Sequence, residues 1–190
     1  TWGRLEQALR SGRPALPAET YLGDDLERTR IFVHSMHGRA MGIARALVEV
    51  VELSGRTRML DVGGGPGTYS ILLTQRFPGL RSEVLELPGV AAVAREIVAA
   101  AGAGDRVSLR DGDYHTSDFG RGHDVVLMSG MFHRESPASC RGLIEKARQC
   151  LEPGGLLVVS DVFTDAGGCS PPFATLFGLN MALTAPDGTV

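Results

Sequence analysis

Five short apolar runs punctuate this chain, most of them separated by stretches whose apolar residues recur at helical spacing. The runs are "RMLDV" (58–62), "SEVLEL" (82–87), "RVSLRDGD" (106–113), "HDVVLMSG" (123–130) and "GGLLVVSDV" (154–162). Strands that alternate with helices pair in parallel, because each helix carries the chain back to the same end of the sheet. A parallel sheet has to be covered on both faces, so the expected fold is α/β with a mostly parallel sheet. Ligands in such folds bind at the carboxyl ends of the strands. The residues just after each run therefore carry the functional reading.

The intervening segments fit that plan. A long helix is expected from about Leu26 to Leu53, with Ile43, Leu47, Val50 and Val51 on one face and Gly55 as its stop. Residues 68–77 read as a helix closed by Pro78-Gly79. Pro88 opens another, in which Val90, Val93 and Ile97 share a face. Ser136-Pro137 caps a fourth, carrying Leu143, Ile144, Ala147 and Leu151. Residues 11–24, "SGRPALPAETYLGD", are rich in Pro and Gly and read as a linker.

Composition narrows the class without naming it. The 190 residues are 43% hydrophobic and 22% charged, which suits one domain with a real core. A net charge of -3 with no basic, aromatic-laced stripe argues against nucleic acid. No apolar run reaches the roughly 18 residues of a membrane span. Cys140, Cys150 and Cys169 are odd in number and lack CxxC spacing, so they read as free thiols in a reducing compartment. His34 and His37 are not spaced i, i+4 and have no carboxylate cluster with them, so no metal site is expected.

After the first run comes "LDVGGGPG", with the spacing D-x-G-x-G-x-G at Asp61, Gly63, Gly65 and Gly67. A dinucleotide loop, G-x-G-x-x-G, would need its third glycine at residue 68, which is Thr68. A carboxylate heading the loop repels pyrophosphate and suits a cationic ligand; the plainer reading is a strand-to-helix turn with a capping Asp. After the second run, Glu86 stands where an acid holds the hydroxyls of an adenosine ribose, with apolar Leu87-Pro88 beside it. The plainer reading there is a solvated Glu at a strand end.

The third run ends in Gly112-Asp113-Tyr114. Asp113 can accept from the exocyclic amine of adenine and Tyr114 can lie along the ring, or Asp113 can simply bond its own backbone in a turn. The fourth ends in "SGMFHRESP", which places Ser129 at the strand end and His133 on the following loop, where an imidazole suits proton transfer near neutral pH. The fifth ends at Asp161, read either as an acceptor that orients His133 or as a strand-end cap.

On these residues the chain resembles the class I S-adenosylmethionine-dependent methyltransferases. Within them it is similar to the metal-independent small-molecule O-methyltransferases of the plant caffeate and bacterial polyketide type. The stretches that carry the resemblance are "LDVGGGPGTYS", "RFPGL", "GDYH", "SGMFHRESP" and "PGGLLVVSD". It implies a Rossmann-like, doubly wound sheet lacking its last strands. Residues 1–25 would be a linker from a missing N-terminal winged-helix dimerisation domain, and residues 26–190 the S-adenosylmethionine-binding domain. Thr1 at the start and "APDGTV" at the end are read as the edges of a fragment.

The resemblance also implies roles. Gly63 and its neighbours lie beside the methionine part of the cofactor, Glu86 holds the ribose, and Asp113 with Tyr114 holds the adenine. Ser129 stands where plant members carry a Lys near the cofactor. His133 falls on the general base and Asp161 on the acid that steadies it. One departure stands out: plant members follow the His with Asp-Trp, and this chain has Arg134-Glu135.

The expected activity is in-line methyl transfer to a phenolic hydroxyl of a small molecule, in a cytoplasmic homodimer. The cofactor's sulfonium and amino group are both positive, which explains a carboxylate at Asp61. Phe32, Met36, Met131, Phe132, Phe177, Asn180 and Met181 are candidates for the pocket walls, against the plainer reading that apolar residues at helical spacing are core. Two alternatives stay open: a relative that binds the cofactor without methyl transfer or for another reaction such as hydroxylation, and a nicotinamide-dependent oxidoreductase.

Overall fold

The computed structural model describes residues 2–15 and 25–184. Most of the expected linker, residues 16–24, lies outside them. Ahead of it, a 3₁₀ turn (Trp2–Arg4) leads into helix α1 (Leu5–Ser11), within the segment that the resemblance implies is a linker. The order then runs α2 (Leu26–Val50), β1 (Arg58–Val62), α3 (Thr68–Arg76), β2 (Arg81–Glu86), α4 (Pro88–Ala100), β3 (Val107–Asp111), β4 (His123–Ser129), α5 (Pro137–Cys150), β5 (Leu151–Ser160) and α6 (Pro172–Met181).

The five strands form one sheet in the order β3-β2-β1-β4-β5, and every pairing is parallel. Side chains on a strand alternate between faces. Met59, Val125 and Leu127 accordingly pack under α2 and α3 with Ala44, Leu73 and Phe77. Leu60, Val62, Val126 and Met128 turn to the other face, against Leu143, Ala147 and Cys150 of α5. Val84 and Val107 meet Val90, Val93 and Ile97 of α4. Parity also assigns Asp61 to the Met59 face, toward α3.

Local signals account for most boundaries. Asp25 caps α2 by accepting from the Arg28 N–H at 3.1 Å, and Ser136 caps α5 through the Ser139 N–H at the same distance. Helix α2 stops at Val50, short of the expected Leu53. Val51 is already extended, and this frees Leu53 to insert, wholly buried, beside Met59. β5 is irregular at its start: His123 pairs with Leu151 but Val125 with Leu156, so the Pro153-Gly154-Gly155 segment bulges out of register. Proline has no N–H to give the ladder, and Gly154 takes φ +79 at the bend.

The parallel order puts all five carboxyl ends along one edge. The chain reverses its direction of travel across the sheet between β1 and β4, and in doubly wound sheets this switch point is where the ligand crevice lies.

Leu60 is 0% exposed at the centre of the sheet, whereas Val50 is 79% exposed at the end of α2. In urea titrations Leu60→Ala is expected to cost about 2–5 kcal/mol, and Val50→Ala less than about 0.5 kcal/mol. Equal effects would contradict the layer assignment.

Candidate active site

The turn after β1 is built around Asp61. Its carboxylate is 0% exposed and accepts the Ser70 hydroxyl of α3 at 2.6 Å, which in turn meets the Ser82 hydroxyl of β2 at 2.8 Å. The carboxylate lies directly beneath the loop: a Cβ on Gly64 would sit 2.6 Å from it, so only glycine fits there. Asp61 therefore stands behind the glycines and does not line the crevice in front of them. Burial, with a smaller push from Glu86, raises its pKa to about 7, and its Oδ1 has no hydrogen-bond partner among the described residues. Gly63 adopts φ +62, and its bare Cα lies under the Tyr114 ring and Met131.

Glu86 ties this turn to the tip of β2. One carboxylate oxygen accepts from the Gly65 N–H at 2.9 Å and the other from the Leu87 N–H at 2.7 Å. Each oxygen keeps a second lone pair for a hydroxyl donor. Burial raises the Glu86 pKa, and nearby Asp113 adds to the shift. At the tip of β3, Asp113 forms the turn expected on the plainer reading, its Oδ1 accepting from the His115 N–H at 2.8 Å. Tyr114 crosses the crevice from there, and its hydroxyl donates to Glu135 at 2.7 Å. Three carboxylates, Asp61, Glu86 and Asp113, are thus gathered at neighbouring strand tips.

The tips of β4 and β5 carry a different group. Ser129 ends β4, and its buried hydroxyl oxygen has no hydrogen-bond partner among the described residues. His133 lies in a 3₁₀ turn and is only 8% exposed. Its Nδ1 bonds Asp161 Oδ1 at 2.7 Å. Asp161 also accepts backbone N–H groups from Phe132 and Val162, each at 2.7 Å, so it caps the strand end and orients the imidazole at once. Burial opposes its charge, but the bonds from His133 and the backbone outweigh that and hold its pKa below the usual carboxylate range. With Nδ1–H given to Asp161, the neutral form of His133 is the tautomer that carries its lone pair on Nε2. The ring of Phe177, from α6, meets His133 edge-on with centroids 4.9 Å apart, and the Arg39 guanidinium of α2 lies 5.1 Å over that same Phe177 ring.

The remaining expected residues divide. Phe177 reaches His133. Phe132 packs instead against the Leu60–Leu143 core layer, and Phe32 joins Leu87 beside the α4 cluster. Met36 and Asn180 are half-buried on α2 and α6. Sequence reasoning missed Ser70, Arg39 and the His37–Thr68 bond of 2.8 Å that ties α2 to the start of α3; none of these has a local signature, because each partner lies on another element. Glu135 was visible only as a departure from the family pattern.

The O-methyltransferase domain family matches residues 2–190, and the chain belongs to it. A 3-hydroxy-5-methyl-1-naphthoate 3-O-methyltransferase of Streptomyces sahachiroi is 31% identical over 183 residues, covering 95% of this chain and 53% of that protein. An aclacinomycin 10-hydroxylase of Streptomyces purpurascens is 32% identical over 192 residues, covering 99% of this chain and 49% of that one. The structure of an O-methyltransferase family protein from Burkholderia thailandensis superposes with a TM-score of 0.87 at 26% identity, over 100% of this chain and 58% of that one. The chain spans about half the length of the curated relatives it matches. Its sheet is the Rossmann-like α/β sheet of class I methyltransferases. Membership of this family removes the nicotinamide-dependent alternative. No described helix is long and apolar enough to cross a membrane.

Because the folded state holds the Asp61 proton up to about pH 7, it binds a proton that the unfolded chain releases near pH 4. Stability contributed by this group is complete below about pH 4 and is lost as the pH rises toward 7. Asp61→Asn should flatten that part of the profile, up to about 1.4 kcal/mol per pH unit. Urea titrations of both proteins across pH 4.5–7.5 test this, and parallel profiles would contradict it.

Proposed function

We propose that the protein is an S-adenosylmethionine-dependent O-methyltransferase acting on a hydroxyl, phenolic by preference, of a small natural-product molecule. The carrying observation is the juxtaposition along one sheet edge of two unlike groups. The carboxylates of Asp61, Glu86 and Asp113 gather at the tips of β1, β2 and β3, with Lys146 on the outer flank beside Asp113, and a buried His133–Asp161 pair stands at the tips of β4 and β5.

The acid-lined side fits the adenosyl cofactor. The buried Asp61 Oδ1 lacks a partner, and the carboxylates push one another's pKa upward, a field that a positive ligand relieves. Asp61 would act on that charge from beneath the loop, beside Gly63 and Gly65. Glu86 would take the ribose hydroxyls on its remaining lone pairs. Asp113, Tyr114 and Leu87 would frame the adenine, and Ser129 would stand at the methionine end. When bound, this cofactor supplies a methyl group on a positively charged sulfur.

The chain's own contribution is at His133. In the neutral ring whose Nδ1–H is given to Asp161, Nε2 is the nitrogen that would accept the proton of an acceptor hydroxyl. The fixed Asp161 charge stabilises the imidazolium that results. Phenols ionise near pH 10, so few are anionic at neutral pH and a placed base is useful. Phe177 covers one edge of the imidazole and, with Met36 and Asn180, would face the acceptor.

The fuller reading includes a homodimer joined through a winged-helix domain to which residues 1–25 are the linker, a cytoplasmic location and no nucleic-acid partner. The family resemblance supports the dimer, and the charge of -3 supports the last point. One observation favours a second reading: the hydroxylase relative covers nearly the whole chain, so a cofactor-binding enzyme with another outcome is the alternative.

Transfer of tritiated methyl into a panel of phenols and hydroxylated polyketides separates the two. His133→Ala in the intact protein is expected to keep S-adenosylhomocysteine binding and to lose about 10²–10⁴-fold in turnover. Near-normal turnover would remove His133 from the base role, and no labelled product from any acceptor would favour the alternative.

A further inference from the structure

Glu135 stands two residues after His133, at a position where the family resemblance leads one to expect Trp. The two side chains diverge. His133 goes to Asp161 and Phe177, on the β5 and α6 side. Glu135 goes the other way, across the crevice toward β3. It is 7% exposed, and each of its oxygens is engaged: Oε1 accepts the Tyr114 hydroxyl at 2.7 Å and lies 3.3 Å from His115 Nε2, while Oε2 accepts the Ser139 hydroxyl at 2.5 Å. A carboxylate taken out of water at such cost persists only where donors satisfy it.

Tyr114 is held at both ends. Its backbone carbonyl accepts from Lys146 Nζ at 2.6 Å, and its hydroxyl is fixed by Glu135. Between these anchors the ring lies over the tip of β1, so close that a Cβ on Gly63 would come within 3.3 Å of it. Burial, then the hydrogen bond to Glu135, raises the phenol pKa, so the hydroxyl stays a donor throughout the neutral range. The ring thus spans the stretch of sheet edge between Asp113 on one side and the His133 turn on the other, above the glycine loop that Glu86 pins from β2.

We propose that Glu135 is a positioning residue for the cofactor: through the Tyr114 hydroxyl it sets the wall against which the adenosyl group packs, and it takes no part in acceptor recognition or proton transfer. This rests on the S-adenosylmethionine reading above. The division follows from geometry. Within one 3₁₀ turn and its sequel, the chain sends a base toward the acceptor side and a carboxylate toward the cofactor side. Without Glu135 the Tyr114 hydroxyl loses its acceptor and the ring its fixed orientation, while Asp161 still holds His133.

A double-mutant cycle in the intact protein tests this, using Tyr114→Phe, Glu135→Ala and the pair, with Glu135→Gln as a near-isosteric control that still accepts a hydrogen bond. The readouts are S-adenosylhomocysteine Kd by calorimetry and KM for cofactor and acceptor separately. Each single change is expected to raise cofactor KM and Kd by about five- to twentyfold, the loss of one buried hydrogen bond. Acceptor KM should stay within about twofold, and the double variant should be no worse than the weaker single, since both remove the same contact. Glu135→Gln should recover most of the affinity, and it carries the test if Glu135→Ala does not fold. Acceptor KM rising in step with cofactor KM, multiplying effects in the double variant, or unchanged cofactor binding in every variant would each overturn the positioning role. Wild-type protein that fails to bind S-adenosylhomocysteine at all would instead overturn the cofactor reading, and this inference with it.

Discussion

The turn from β1 into α3 is held from below and from the side. From below, the Asp61 carboxylate bonds Ser70 in the next helix and reaches Ser82 in the neighbouring strand through it. From the side, Glu86 grips the Gly65 N–H. These contacts fix the loop against both β2 and α3, and the edge of the sheet has its shape because of them. A buried carboxylate is an expensive way to hold a turn. Its retention suits a site where a positive ligand, on the far side of a few glycines, recovers some of that cost. Asp61 itself lies beneath the loop, wholly buried.

From that turn the edge divides into two regions. On one side the tips of β1, β2 and β3 carry acids and the Tyr114 bar. On the other the tips of β4 and β5 carry a histidine and the aspartate that orients it. Strand order makes this division. Because β4 returns to the far side of β1, the third strand in sequence and the fourth end at opposite flanks of the crevice. A ligand lying across the switch point touches both, as it does generally in doubly wound sheets. Tyr114 and Glu135 link the flanks directly, with His115 beside the same carboxylate.

Much of this was legible in the residues. β1, β4 and the opening of α4 and α5 follow from apolar parity, Pro88 and the Ser136-Pro137 cap. The acids and the histidine stand after the strands where a parallel sheet would put a site. Other parts were not legible for stated physical reasons. α6 begins at Pro172 and its sequence, "PFATLFGLNM", is apolar on nearly all sides, so no polar face reveals a helical period. The bulge at the start of β5 depends on pairing with β4. Phe132 and Phe177 looked alike in the sequence, yet Phe132 is half-buried against the core layer and Phe177 meets His133.

The sequence by itself determined the elements in chain order, the faces each would bury, and the set of polar residues that end the strands. These depend on local periodicity and turn chemistry, which act over a few residues and do not need the rest of the chain. Only the tertiary structure decided which strand tips are neighbours, that Asp61 turns down toward Ser70, that Asp161 reaches His133 across 28 residues of chain, and that Glu135 faces Tyr114. Those pairings depend on how helices pack across the sheet and on which long-range contacts repay the entropy of closing the loops between them.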